Sequence, residues 1–137
     1  MKSFSLELPS QTEKIEEAAF FVESALKKLN YNPDDRDNVV IAATEAISNA
    51  IIHGNRNNPN KKVSIVVKGF RNRIEIHVKD EGIGFEPKKL ANPLAPENLL
   101  RESGRGIFIL KSLMDKVDYH FSKNGTEIVL IKFIKTV

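Results

Sequence analysis

Apolar residues recur along this chain with two different periods, and the switches between them divide it into elements. Phe4, Leu6 and Leu8 alternate with polar neighbours, which predicts a first strand that Pro9 closes. Ser10 with Glu13 three residues on has the spacing of a capping box, and predicts a helix from there to about Leu29. Pro33 and Asp34 open a second helix that runs to about His53. Alternation returns near 62–69 and over 73–79, where Ile74, Ile76 and Val78 oppose Arg73, Glu75, His77 and Lys79, with Arg71-Asn72 at the turn. Residues 81–103 read as a loop, and 105–116 as a third helix whose apolar side is Ile107, Leu110, Leu113 and Met114. Segments 117–123 and 126–134 close the chain as a hairpin over Asn124-Gly125. Helices gathered on one face of a mostly antiparallel mixed sheet give a two-layer α+β sandwich, with one domain expected over residues 1–137.

The second helix carries a pattern that a core alone does not explain. At about 100° per residue, Val39, Val40, Ala43, Ala46, Ile47, Ala50 and Ile51 share one broad apolar side. Glu45 and Asn49 lie roughly opposite, with His53 four residues further, yet Ile41, Ala42 and Ile52 bracket them where a solvated face would carry charged residues. A buried carboxylate without a partner costs several kcal/mol and a bare amide roughly 1–3 kcal/mol, so both require partners. A hydrogen bond from helix to loop would satisfy them, and so would a ligand or a metal.

Two glycine-containing segments lie downstream. Asp80 stands where the strand over 73–79 stops, and Gly82 and Gly84 in D80-E-G-I-G84 supply backbone that a flat ligand can approach closely. An ordinary turn has the same composition. Gly104 and Gly106 in S103-G-R-G106 feed the apolar run of the third helix, whose first N–H groups can hold phosphate. Loop 81–103 is long for a compact domain, and Pro87, Pro93 and Pro96 with Leu90, Leu94, Leu99 and Leu100 suit a lid better than a linker.

Composition narrows the chemistry. The chain has no cysteine, which excludes disulfides, thiolate metal sites and a cysteine nucleophile. Its 21 basic and 18 acidic residues are interspersed, as in Lys27-Lys28, Lys61-Lys62 and Lys88-Lys89, and the concentrated basic stripe expected for nucleic-acid binding is missing. No apolar run approaches the roughly 18 residues of a membrane span and no secretory leader is visible, so a soluble, cytoplasmic protein is expected. Neither the P-loop pattern nor the glycine loop of ordinary protein kinases occurs. His77 and His120 stand on strand-like segments without ligand spacing, so no zinc site is expected.

Taken in order, E-x-x-x-N (Glu45, Asn49), D-x-G-x-G (Asp80, Gly82, Gly84), G-x-G (Gly104, Gly106) and G-T (Gly125, Thr126) resemble the Bergerat ATP-binding fold of gyrase-like, Hsp90-like, histidine-kinase and MutL-like ATPases. TEAISNAIIHGN, KDEGIGFEP, APENLLRESGRGIFILKSLMD and NGTEI look most like the anti-sigma-factor serine kinases of that superfamily, over about residues 3–134. The resemblance implies ATP and Mg²⁺. It implies that Asp80 accepts the adenine amino group, supported by Thr126, and that Gly82 and Gly84 line the base. Asn49 would be the magnesium ligand, and Gly104, Arg105 and Gly106 would cradle the phosphates. Glu45 would be the base that orients the attacking hydroxyl. His53 is assigned a supporting role. The implied activity is serine/threonine phosphorylation of a STAS-domain antagonist by a homodimer that also sequesters a sigma factor. A nucleotide-gated binding module without phosphotransfer, or an ATPase using water, would use the same residues apart from the acceptor.

Overall fold

A computed structural model describes residues 1–82 and 102–134, the side chains of 102–107 excepted. Five strands form one sheet: β1 Lys2–Pro9, β2 Lys62–Gly69, β3 Arg73–Lys79, β4 Lys116–Ser122 and β5 Gly125–Phe133, in the order β1-β2-β3-β5-β4. Among the described residues every pairing is antiparallel, in line with the mostly antiparallel sheet expected. Hairpins join β2 to β3 and β4 to β5, whereas two helices lie between β1 and β2 in the chain, and a third helix and β4 between β3 and β5.

Three helices cover one face: α1 Ile15–Lys28 over β1 and β2, α2 Pro33–Asn49 over β3 and β5, and α3 Glu102–Leu113 beside β4, with α2 packed between the other two. The alternation read from the sequence decides which face they cover. Val63, Ile65 and Val67 of β2, Ile74, Ile76 and Val78 of β3, and Ile128 and Leu130 of β5 point inward and are fully or almost fully buried. They meet Val22 and Leu26 of α1, Val39, Ala43 and Ile47 of α2, and Leu110 of α3 in a single core. Among the described residues, no helix is long and apolar enough to cross a membrane.

Three boundaries differ from the sequence expectation, each for a local reason, while the start of α2 agrees with it. Ser10 does not cap α1. Its hydroxyl is buried and donates to the Lys61 carbonyl at 2.7 Å, so the chain takes a 3₁₀ turn, Thr12–Lys14, before the helix proper. The N-cap of α2 is Asn32, whose Oδ1 accepts from the Asp34 amide at 2.8 Å, with Pro33 at the first helical position as expected. The second helix ends as an α-helix at Asn49 and widens into a π turn, Ala50–Gly54, closed by the Asn55 amide donating to the Ala50 carbonyl at 2.8 Å. Finally, α3 begins at Glu102 and not at 105, so Gly104 belongs to the helix together with Arg105 and Gly106. Glycine disfavours helix by about 1 kcal/mol, but an acidic residue in the first turn and the burial of Leu110 and Met114 on the body offset that preference.

Candidate functional site

The first half of the site is built at the end of β3. The ladder between β3 and β5 brings Asp80 opposite Thr126, and the two exchange contacts. The Asp80 amide donates to the Thr126 carbonyl at 2.9 Å, and the Thr126 amide donates to Asp80 Oδ1 at 3.1 Å. The Gly82 amide donates to the same Oδ1 at 2.9 Å. Asp80 is 6% exposed, yet among the described residues no donor reaches Oδ2. One carboxylate oxygen is thus spent on fixing the side chain, while the other lies against Gly54 without a hydrogen bond from a described residue.

Glycines wall this carboxylate closely. A Cβ on Gly54 would run into the Asp80 carboxylate, one on Gly82 into the Gly54 carbonyl, and one on Gly125 into the Asp80 carbonyl. Gly125 also has φ +143°, and it is the first residue of β5, one position beyond the turn centre that Asn-Gly chemistry predicts. The hairpin turns through Lys123 and Asn124 instead.

The second half lies on α2. Glu45 and Asn49 are half-buried, and neither side chain makes a hydrogen bond to another described residue. Ala42, read as bracketing them, is fully buried in the core, and Ile41 is 53% exposed. The expected stripe stops at Asn49, because the π turn changes the rotation per residue and leaves His53 exposed. That same turn delivers Gly54 to the Asp80 carboxylate, so α2 and the β3 end meet through backbone rather than through the motif side chains.

On α3, the helix start at Glu102 divides the glycine pair. A helix leaves its first four N–H groups without internal acceptors, and with α3 starting at Glu102 the Gly104 amide falls in that first turn and the Gly106 amide beyond it. Gly84 and most of the expected lid, residues 83–101, lie outside the described residues.

Three contributors carry no such signal in the sequence. Gly54 and Asn55 come after the helix in a polar stretch that looks like loop, and the spacing of Ser10 assigns it to a cap. Asn55 is 2% exposed. Its Oδ1 accepts from the Glu81 amide at 2.8 Å, and its Nδ2 donates to Ser10 Oγ at 2.6 Å and to the Lys62 carbonyl at 3.0 Å. No short-range pattern reveals contacts that span 26 and 45 residues.

Burial raises the pKa of Asp80 above the ordinary carboxylate value of about 3.9, and the amides of Gly82 and Thr126 and the charge of Lys61 only partly oppose it. The folded state therefore holds this proton more tightly than the unfolded chain does. Stability from this group is present at low pH and is lost as pH rises through the folded pKa. Urea midpoints of the protein and of Asp80→Asn, measured from pH 4 to 8, should accordingly diverge, with the unsubstituted protein losing ground to the variant as pH rises. A constant difference would mean that the carboxyl titrates as it does when unfolded.

A family model for the histidine kinase-like ATPase domain matches residues 8–132. The chain belongs to that family. Within it, the chain is 32% identical over 113 residues to the serine-protein kinase RsbW of Bacillus licheniformis, covering 78% of this chain and 70% of the relative. It is 29% identical to RsbW of Staphylococcus epidermidis, covering 95% and 86%. By that similarity the chain is a serine/threonine protein kinase with ATP as phosphoryl donor. Solved structures show the same fold. The RsbU and RsbW domains of Rv1364c from Mycobacterium tuberculosis align with a TM-score of 0.72 at 13% identity, over 97% of this chain and 32% of that one, so this chain spans about a third of it. The catalytic domain of the histidine kinase ThkA aligns at 0.59 and 17% identity, over 97% and 96%. The expected Bergerat α+β sandwich is the fold of this histidine-kinase-like domain.

Proposed function

We propose that this histidine-kinase-like domain is an anti-sigma-type kinase that transfers the γ-phosphate of ATP to a serine on a small STAS-domain antagonist and otherwise holds a sigma factor, working as a homodimer in the cytoplasm. The observation that carries the nucleotide part is the half-satisfied Asp80 carboxylate behind its glycine wall. A carboxylate that offers only acceptors takes the adenine amino group and rejects the oxo group that guanine has at that position. The glycines let the backbone close on Asp80 and Gly54, where any Cβ would collide, and so hold the carboxylate in place.

The remaining roles rest on the chemistry of the side chains. Asn49 offers a neutral oxygen to Mg²⁺, which would hold the phosphates together and neutralise their charge. The Gly104 amide at the start of α3 suits a phosphate oxygen, with Arg105 adding charge and Gly106 a surface without side-chain bulk. Gly84 and the residues 83–101 complete this reading as base lining and lid. Glu45, one turn before Asn49, orients the attacking hydroxyl. The RsbW relatives are serine-protein kinases by name, which supports a serine acceptor over water.

Incubation with Mg-ATP and the STAS-domain proteins of the source organism, followed by intact mass, is the direct test. One added phosphate on a single STAS protein is expected. ATP binding with no modified STAS protein would instead favour a nucleotide-gated binding module, and steady phosphate release without acceptor would favour an ATPase.

A further inference from the structure

We propose that Asn55 is a positioning residue that sets the orientation of the Asp80 carboxylate and thereby the preference for a 6-amino over a 6-oxo purine; the inference rests on the nucleotide reading of Asp80. Three consecutive amides at the β3 end are each held. That of Asp80 goes to the Thr126 carbonyl, that of Glu81 to Asn55 Oδ1 and that of Gly82 to Asp80 Oδ1. The middle anchor is the only one of the three supplied by a side chain from another part of the fold. The Glu81 carboxylate adds a further tie by accepting from the Lys62 amide at 2.8 Å.

Asn55 is placed to act on the carboxylate from two sides. Through its side chain it fixes the peptide that comes after Asp80. Through its backbone it continues Gly54, which lies against Asp80 Oδ2. Its own amide closes the π turn, so the end of α2 and the β3 loop are braced by one residue. Only an amide side chain supplies an acceptor for Glu81 and donors for Ser10 and Lys62 at once; a carboxylate lacks the donors and leucine lacks both. Without the anchor, the Glu81 amide and the Lys62 carbonyl turn to water, the loop loosens, and Oδ2 no longer faces one fixed direction. ATP then loses a charge-assisted contact that inosine triphosphate never makes.

The experiment measures Mg-ATP and Mg-ITP affinity on the full chain for the unsubstituted protein, Asn55→Ala, Asn55→Ser and Leu26→Ala. Leu26 is fully buried in α1, away from the β3 end, so its truncation lowers stability by the ordinary route of a core cavity. Asn55→Ala is expected to weaken ATP about 10- to 100-fold, the worth of one hydrogen bond to a charged group, with ITP nearly unchanged. Leu26→Ala should lower the melting temperature and keep the ATP/ITP ratio. Asn55→Ser keeps a hydroxyl for the Lys62 carbonyl but is too short for the Glu81 amide, so it should fold readily and show the same loss of preference. Amide exchange at Glu81 and Gly82 should accelerate in it while the β-core stays protected. An unchanged ratio in the Asn55 variants, a parallel loss of both nucleotides, or unchanged exchange at Glu81 would overturn the inference. A lack of ATP preference in the unsubstituted protein would overturn the Asp80 reading itself, and the Asn55 role with it.

Discussion

Replacing Gly125 with alanine is expected to cost more stability than any exposed substitution in this chain and to remove nucleotide binding with it. Two penalties coincide at this position. A residue with a Cβ at φ +143° is strained by about 1–3 kcal/mol. The added methyl would also overlap the Asp80 carbonyl oxygen, a backbone atom that cannot rotate away, and overpacking of that kind costs about 1–3 kcal/mol. Together they consume much of the roughly 5–15 kcal/mol that holds a domain folded. Relief requires β5 to move away from the β3 end. That movement breaks the Asp80 amide bond to the Thr126 carbonyl and the Thr126 amide bond to Asp80 Oδ1. Urea midpoints and ATP affinity should therefore fall together. Asn124→Ala, one residue earlier and exposed in the turn, should stay within about 0.5 kcal/mol. If Gly125→Ala matched it, the close contact with Asp80 would not be part of the folded molecule.

Why Gly125 is visible in the sequence while its task is not is a matter of range. The Asn-Gly pair marks a hairpin because turn chemistry is local, and the hairpin is there. The contact that makes glycine obligatory at 125 comes from residue 80 and has no local signature. Asp80 itself is legible, since the alternation of Ile74, Ile76 and Val78 stops just before it and the β3–β5 register puts Thr126 across from it. The polar side of α2 is legible as far as Asn49. Beyond that, Ala50 and Ile51 continue the apolar period unchanged and nothing signals the π turn that exposes His53 and brings Gly54 onto Asp80.

Ser10 shows a competition between principles. Its spacing to Glu13 is that of a capping box, worth about 1 kcal/mol, but the hydroxyl is taken by the Lys61 carbonyl and by Asn55 inside the protein. A buried polar group must be paired, and that requirement outranks an exposed cap. The start of α3 shows the same ordering: two glycines argue for a late start, and packing of Leu110 and Met114 gives an early one. At the start of α3, a glycine propensity of about 1 kcal/mol yields to burial of apolar side chains, each worth about 1.5–3 kcal/mol.

The second large effect is expected at Glu45. Glu45→Gln keeps the size and shape of the side chain and removes only its ability to take a proton, so it separates chemistry from binding. Because the Glu45 side chain makes no hydrogen bond to another described residue, its isosteric replacement breaks no such bond among them. Stability and ATP affinity should be close to those of the unsubstituted protein. Phosphoryl transfer to the protein acceptor should fall about 10²- to 10⁴-fold, the usual contribution of a positioned base. At about 1.36 kcal/mol per factor of ten, that is about 2.7–5.4 kcal/mol of transition-state stabilisation resting on one proton acceptor. Single-turnover phosphorylation with ATP saturating, read by intact mass, isolates this step from nucleotide binding. A variant that transfers phosphate at the original rate would reduce Glu45 to a polar residue at the mouth of the site. One that loses ATP along with transfer would instead place the carboxylate among the groups that hold the nucleotide. A loss confined to transfer fits only a residue that meets the acceptor hydroxyl, and it would extend the site from the Asp80 end of the sheet along α2 to the partner's serine.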